Sequence, residues 1–339
     1  MASASTDARP APPSSPPSPS SRSLLIDVVR GAAIVLVTLG HTNQGTLRRQ
    51  YWGDSPIGHD LNSFIYAFHM PAFFFVSGIF LCNSVRKRGA WRFTLEKLRT
   101  LAYPYLLWAC IYGLTPLILA KYTVTPPFTW HEFLLATATG GISWFLPTIF
   151  FVVIAGMLLR HIPMPLLFLI TIVVSYIWPV TGLEFVDRGF KHLPFLVAGM
   201  WVGRNYEQIE RIPKLAAAAA ALVIALVIGF ATHGPLGAPD SLFILLGLLG
   251  TLMLLLVARC LDHSLPARQL AWIGVASLGI FLVSPYPQGL GRQILLAFHI
   301  VNPWMQVLFP TLLTTVIAAI LYQKRVKLHI AWLFAWPFA

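Results

Sequence analysis

The sequence predicts an all-α protein, a polytopic bundle of about ten transmembrane helices. Three observations predict it. Of the 339 residues, 57% are hydrophobic and only 11% are charged, whereas a soluble domain carries about 25% charged residues. Apolar runs recur along the chain at or near the ~20 residues needed to cross a ~30 Å hydrocarbon core. The basic residues fall in short clusters between those runs, not on one solvated face. The net charge of +12 therefore points to topology and anionic headgroups, and not to nucleic acid.

Residues 1–23 are mostly Ser, Pro and Ala with almost no large apolar side chain. Such a stretch cannot bury enough surface to offset its chain entropy, so a disordered cytoplasmic tail is expected. It does not read as a signal peptide, because the run that follows is too long and contains Asp27 and Arg30. A membrane domain follows over 24–323. Its helices are expected at Leu24–His41, Leu61–Leu81, Leu101–Lys121, Ser143–Leu159, Pro165–Val180, Phe190–Gly203, Lys214–Ala231, Ser241–Val257, Leu270–Ser284 and Ile300–Gln323. Residues 324–339 form a short cytoplasmic tail. With this count and the N-terminus inside, the inner segments hold 17 of the 24 Lys and Arg, the outer segments 6, and Arg30 lies within the first helix. That bias favours both termini in the cytoplasm.

In the inner loop Arg86–Arg99, Trp91, Phe93, Leu95 and Leu98 alternate with Arg92, Lys97 and Arg99. This is the pattern of a basic amphipathic segment lying on the membrane surface, and equally of a plain topogenic loop. As an amphipathic segment it would suit an anionic cofactor. The three cysteines show no Cys-x-x-Cys spacing, and the ten histidines contain no His-x-x-x-His pair. Neither a disulfide framework nor a metal site is expected.

Ionisable residues inside a membrane helix are costly and are functional candidates. The first helix carries Asp27, Arg30, Thr38 and His41 in an otherwise apolar run. At 100° per residue, the steps from Arg30 to His41 come within about 20° of three full turns, with a rise of about 16 Å. Asp27 and Thr38 lie near the same stripe. One face thus presents an acid–base pair toward one end and an imidazole toward the other. Taken singly, each residue is explained as well by snorkelling or capping; their shared stripe favours function. The second helix adds His69, about 12 Å from the helix's outer end, with Pro71 to open a backbone carbonyl and Ser77-Gly78 to permit close packing.

Asp27-Val28-Val29-Arg30-Gly31, with ten residues between Arg30 and His41, resembles the signature of acyltransferase family 3, integral-membrane O-acyltransferases that modify sugars and lipids. Phe73-Phe74-Phe75-Val76-Ser77-Gly78 is similar to that family's second-helix motif. His69-Met70-Pro71 before it resembles a subgroup containing exopolysaccharide O-succinylases and fucose O-acetylase-like proteins. Leu101–Tyr105, Ser143–Pro147 and Phe195–Gly203 also fit, so the resemblance covers roughly 23–325. It implies an acyl-coenzyme A donor from the cytoplasm, an acceptor hydroxyl on the outer side, and residence in a bacterial inner membrane. It further implies that Arg30 contacts the coenzyme and that His41 is the catalytic base. The chain departs from the family at Ser284, where that family often carries His; a serine cannot act as a base near neutral pH.

The expected function is therefore transfer of an acyl group, acetyl or succinyl, from acyl-coenzyme A to a hydroxyl of an exported carbohydrate or glycolipid. Asp27 would fix Arg30, while His69, Trp144 and Ser284 would line the acceptor side, with no metal involved. Polysaccharide-synthesis proteins are the expected partners, along with the lipid bilayer. The rival reading is a transporter or flippase of a polysaccharide intermediate. Transporters often carry two related halves, and the Asp27–His41 pattern does not recur in the second half. An inactive scaffold of the same family is a third reading.

Overall fold

The computed structural model describes residues 21–118, 128–203, 207–234 and 238–337, and among them every regular element is helical. In chain order these are α1 (Ser21–Leu47), α2 (Ile57–Tyr66), α3 (His69–Arg88), α4 (Ala90–Lys97) and, after a π-turn at Leu98–Ala102, α5 (Tyr103–Ile118). Then come α6 (Trp130–Thr139), α7 (Phe145–Leu159), α8 (Met164–Ile177), α9 (Glu184–Val202), α10 (Glu207–Glu210) and α11 (Lys214–Thr232). The last are α12 (Phe243–Leu261), α13 (Leu265–Val275), α14 (Ser277–Val283), α15 (Pro285–Ala297) and α16 (Pro303–Gln323). The expected tail at 1–20 and the expected helix end at 119–121 lie outside the described residues.

Each expected membrane segment falls on a helix, but not all are long and apolar enough to span. Six described segments are: Leu24–Leu47, Ile57–Arg88, Ala90–Ile118, Lys214–Thr232, Asp240–Leu261 and Pro303–Gln323. The pair α13 and α14, bent by 61°, makes a seventh if it counts as one span. α7 and α8 are apolar but have only 15 and 14 residues, and α9 carries Glu184, Asp187, Arg188 and Lys191. Length and composition thus do not confirm the expected ten crossings.

Several boundaries moved for physical reasons. α1 runs on past His41 to Leu47, because Thr42 and Thr46 bond back to carbonyls of the preceding turn and hide their polarity. The second expected helix is two helices, broken at Ala67–Phe68, just before Pro71. Pro71 has no N–H to donate to the carbonyl of Ala67 four residues earlier, so the break belongs there. The basic stretch after α3 contains a true surface helix, α4, which buries Phe93 and leaves Trp91 exposed.

Helix α1 sits at the centre, packed against α2, α3, α12, α13, α14 and α16. It crosses α13 at a pair of glycines: a Cβ on Gly31 would collide with the carbonyl oxygen of Leu270, and one on Gly274 with that of Asp27. α3 crosses α9 in the same manner, Gly78 against the Leu196 carbonyl and Gly199 against the Phe75 carbonyl. Small residues let helices in a bilayer approach backbone to backbone. Along its C-terminal half α1 meets α16 through buried threonines, Thr42 with Thr311 at 2.8 Å and Thr38 with Thr315 at 3.5 Å.

Candidate active site

Arg30, at one end of the polar stripe of α1, stands on the wall of a cavity. Arg30, Ile34 and Val37, one helical face over two turns, line a cavity of about 290 Å³ together with Ser77 and Phe73 of α3, Lys97 of α4 and Ser277 of α14. Arg30 is held between two partners. Its Nη1 donates to Asp27 Oδ1 at 3.3 Å and its Nη2 to Ser277 Oγ at 3.0 Å. The Arg30 and Asp27 side chains keep 33% and 24% exposure, so the pair is half-buried, with Arg30 on the cavity wall. Thr100 also lines this cavity and a second hollow, rich in cations from Lys87, Arg88, Arg92 and Arg99, with Glu96 paired to Arg88. The two spaces adjoin at the π-turn that joins α4 to α5.

His41 is the next residue on the stripe, about 6 Å of rise beyond Val37, and its side chain is exposed. Tyr66, at the end of α2, stands beside it: Tyr66 Oη and His41 Nδ1 are 3.4 Å apart, and the rings meet edge to face. The far side of Tyr66 packs against His69, ring centroids 4.6 Å apart. His69 is buried, and its Nδ1–H donates to the Ile65 carbonyl at 2.7 Å. The break between α2 and α3 therefore brings both histidines to one tyrosine. Tyr66 escaped sequence reasoning because its place depends on that break.

Trp144 and Ser284 stand elsewhere, and neither lines the cavity. Trp144 is sandwiched, with His192 of α9 5.4 Å from its ring and the Arg188 guanidinium 4.8 Å from its centroid. Ser284 is buried, and its hydroxyl donates to the Phe281 carbonyl at 3.0 Å. One residue near it that reaches α1 is Gln288, one turn on in α15, whose Nε2 donates to the Thr38 carbonyl at 3.3 Å. Among the described residues no three His, Cys, Asp or Glu side chains gather as metal ligands would.

The family model described as an acyltransferase domain, that of acyltransferase family 3, matches residues 24–323. The chain belongs to acyltransferase family 3. It is thus a membrane acyltransferase, and the matched region takes in α1, the cavity and both histidines. No curated protein and no solved structure matches the chain.

Proposed function

We propose that this protein transfers an acyl group, acetyl or succinyl, from acyl-coenzyme A to a hydroxyl of an exported carbohydrate or glycolipid. The observation that carries the reading is the continuity of one helical face: Arg30, Ile34 and Val37 wall a cavity, and His41 stands where that wall ends. A stripe about 16 Å long suits an extended pantetheine arm. The basic hollow with Lys87, Arg88, Arg92 and Arg99 adjoins the Arg30 end and suits the coenzyme's phosphates. On the ten-helix count the Lys and Arg bias favours that end and both termini in the cytoplasm, in a membrane that the family resemblance implies is a bacterial inner one.

In this reading Asp27 and Ser277 aim Arg30, whose guanidinium binds the donor. The thioester carbonyl lies near His41. His41 takes the proton of the acceptor hydroxyl as its oxygen attacks the carbonyl carbon. The carbon–sulfur bond breaks, and the coenzyme thiolate takes the proton back from the imidazolium. His41 is then neutral again, and no acyl group has rested on the protein. Tyr66 positions the imidazole through Nδ1, leaving Nε2 for the acceptor. His69 supports Tyr66 from behind, and the sugar lies on the open side of His41. Trp144, with the ring of His192 and the guanidinium of Arg188 against it, takes a substrate role for an extended acceptor.

The test is transfer by the full chain in lipid. His41→Gln keeps polarity but cannot take the proton, and it should abolish turnover while coenzyme A still binds. Near-normal transfer by His41→Gln would end this mechanism and make His69 the residue to test.

A further inference from the structure

The C-terminal end of α1 gathers three arginines that acyl transfer as described does not use. Arg292 of α15 donates from Nη2 to the Thr42 carbonyl at 3.0 Å. Its guanidinium fills the space beside Gly45, where a Cβ would strike Nη1 and crowd Nη2. Arg49 Nη1 donates to the Gly45 carbonyl at 3.4 Å, so two cations meet at one helical turn. Arg48 lies seven residues beyond His41, about 20° from it around the helix and about 10 Å further along. It is exposed, on the same side as the imidazole.

Among the described residues none of the three meets a carboxylate. Asp60 of α2 is taken by His233 and by the backbone N–H of Gly234. Asp54, in the loop after α1, is exposed and unpaired among the described residues. Arg292 Nε is buried and has no hydrogen-bond partner there. A buried donor left unpaired is costly, and like charges brought together raise that cost. If Arg292 served only to tie α15 to α1, one carbonyl contact would suffice, and a neighbouring Arg49 would work against it.

We propose that Arg292, with Arg48 and Arg49 beside it, binds a carboxylate or phosphate on the part of the substrate that lies beyond His41. That placement rests on the acyl-transfer reading, whereas the anion site itself does not. Two sources fit the chemistry. One is an acceptor sugar that is acidic or phosphorylated; the other is the free carboxylate of a dicarboxylic acyl group, which points away from the thioester. Guanidinium groups suit both, since they hold such anions by two parallel hydrogen bonds.

The experiment uses the full chain in nanodiscs of phosphatidylcholine, so that no anionic lipid competes. Thermophoresis measures binding of glucuronate, succinate and inorganic phosphate, with glucose as the neutral control and coenzyme A as the reporter of an intact Arg30 end. Wild type should bind at least one anion about tenfold or more tightly than glucose. Arg292→Gln should lose that preference. Gly45→Ala is the second variant, because it leaves every charge in place and raises helix propensity yet forces the guanidinium aside; it should lose the preference too. Coenzyme A release then separates the sources. A selective loss of acidic over neutral sugars with either donor assigns the anion to the acceptor. A selective loss of succinyl- over acetyl-coenzyme A with either sugar assigns it to the acyl group. Equal anion binding by wild type and both variants, with coenzyme A still bound, overturns the proposal. Anion binding that persists in a wild type unable to transfer overturns the acyl-transfer reading instead and leaves the anion site standing.

Discussion

At the Arg30 end, α1 is fixed by backbone against backbone: Gly31 and Gly274 interlock with the carbonyls of Leu270 and Asp27, and the Asp27–Arg30 pair sits beside that crossing. At the His41 end the same helix is held by side chains. Thr42 meets Thr311, Asn43 donates to the Gly58 carbonyl and accepts from the Trp52 indole, and Gly45 faces the movable tip of Arg292. Close-packed backbone has one arrangement, whereas side chains can re-form around what they bind. The difference matches the proposed division of labour. A coenzyme arm that is the same in every turnover suits the rigid end, and the acceptor that must enter and leave suits the adaptable one.

The sharpest way to break that comparison is at His41. His41→Gln should lower turnover by about 100- to 10,000-fold while the affinity for coenzyme A, set at the other end, is kept. In wild type, activity should fall as pH falls, because a protonated imidazole cannot accept the hydroxyl proton; a flat acid limb would count against a histidine base. Next in size is a pair of glycine changes. Gly31→Ala pushes a methyl into the Leu270 carbonyl, and overpacking of this kind costs about 1–3 kcal/mol or more. Thermal unfolding in detergent should show a clear fall in Tm. Gly45→Ala meets only a flexible guanidinium tip and should leave Tm unchanged or slightly raised. Equal falls in both would erase the contrast between the ends.

Smaller still is Arg30→Lys, which keeps charge but loses the planar fork that binds Asp27 and Ser277 together. The KM for acyl-coenzyme A should rise about tenfold with the acceptor's KM unmoved, consistent with loss of one charged hydrogen bond. A fall in protein level with unchanged KM would make the Asp27–Arg30 pair structural. Tyr66→Phe should have the mildest effect. Its contact with His41 spans 3.4 Å, so loss of the hydroxyl should lower kcat a few-fold and shift the acid limb of the pH profile. An unchanged pH profile would remove Tyr66 from any positioning role.

How much of this was legible in the sequence depended on distance along the chain. The Arg30–His41 stripe was legible because helical geometry alone relates residues eleven apart. The apolar segments were legible because each is a continuous run. The stretch Pro285-Tyr-Pro-Gln-Gly-Leu-Gly-Arg292 was not, since its prolines and glycines imitate a loop; prolines at the start of a helix are tolerated, and α15 begins there. In the sequence Arg292 therefore reads as a loop charge, and its approach to Gly45 is hidden. Tyr66 was hidden by a helix break that its own neighbours create. Trp144 and Ser284 came from motifs and a family comparison, not from geometry, and the fold puts them beside His192 and the Phe281 carbonyl.

The central claim is that one channel along α1 joins the donor end to the base. Val37 is the cavity-lining residue one turn before His41, so Val37→Phe places a ring in that channel without touching a polar group. The measurement is coenzyme A affinity and acyl transfer by this variant in the same lipid nanodiscs. The account predicts coenzyme A affinity within a few-fold of wild type, since the phosphates lie at the basic end, and transfer reduced by about 100-fold or more as the thioester fails to reach His41. Full transfer through a filled channel would contradict it.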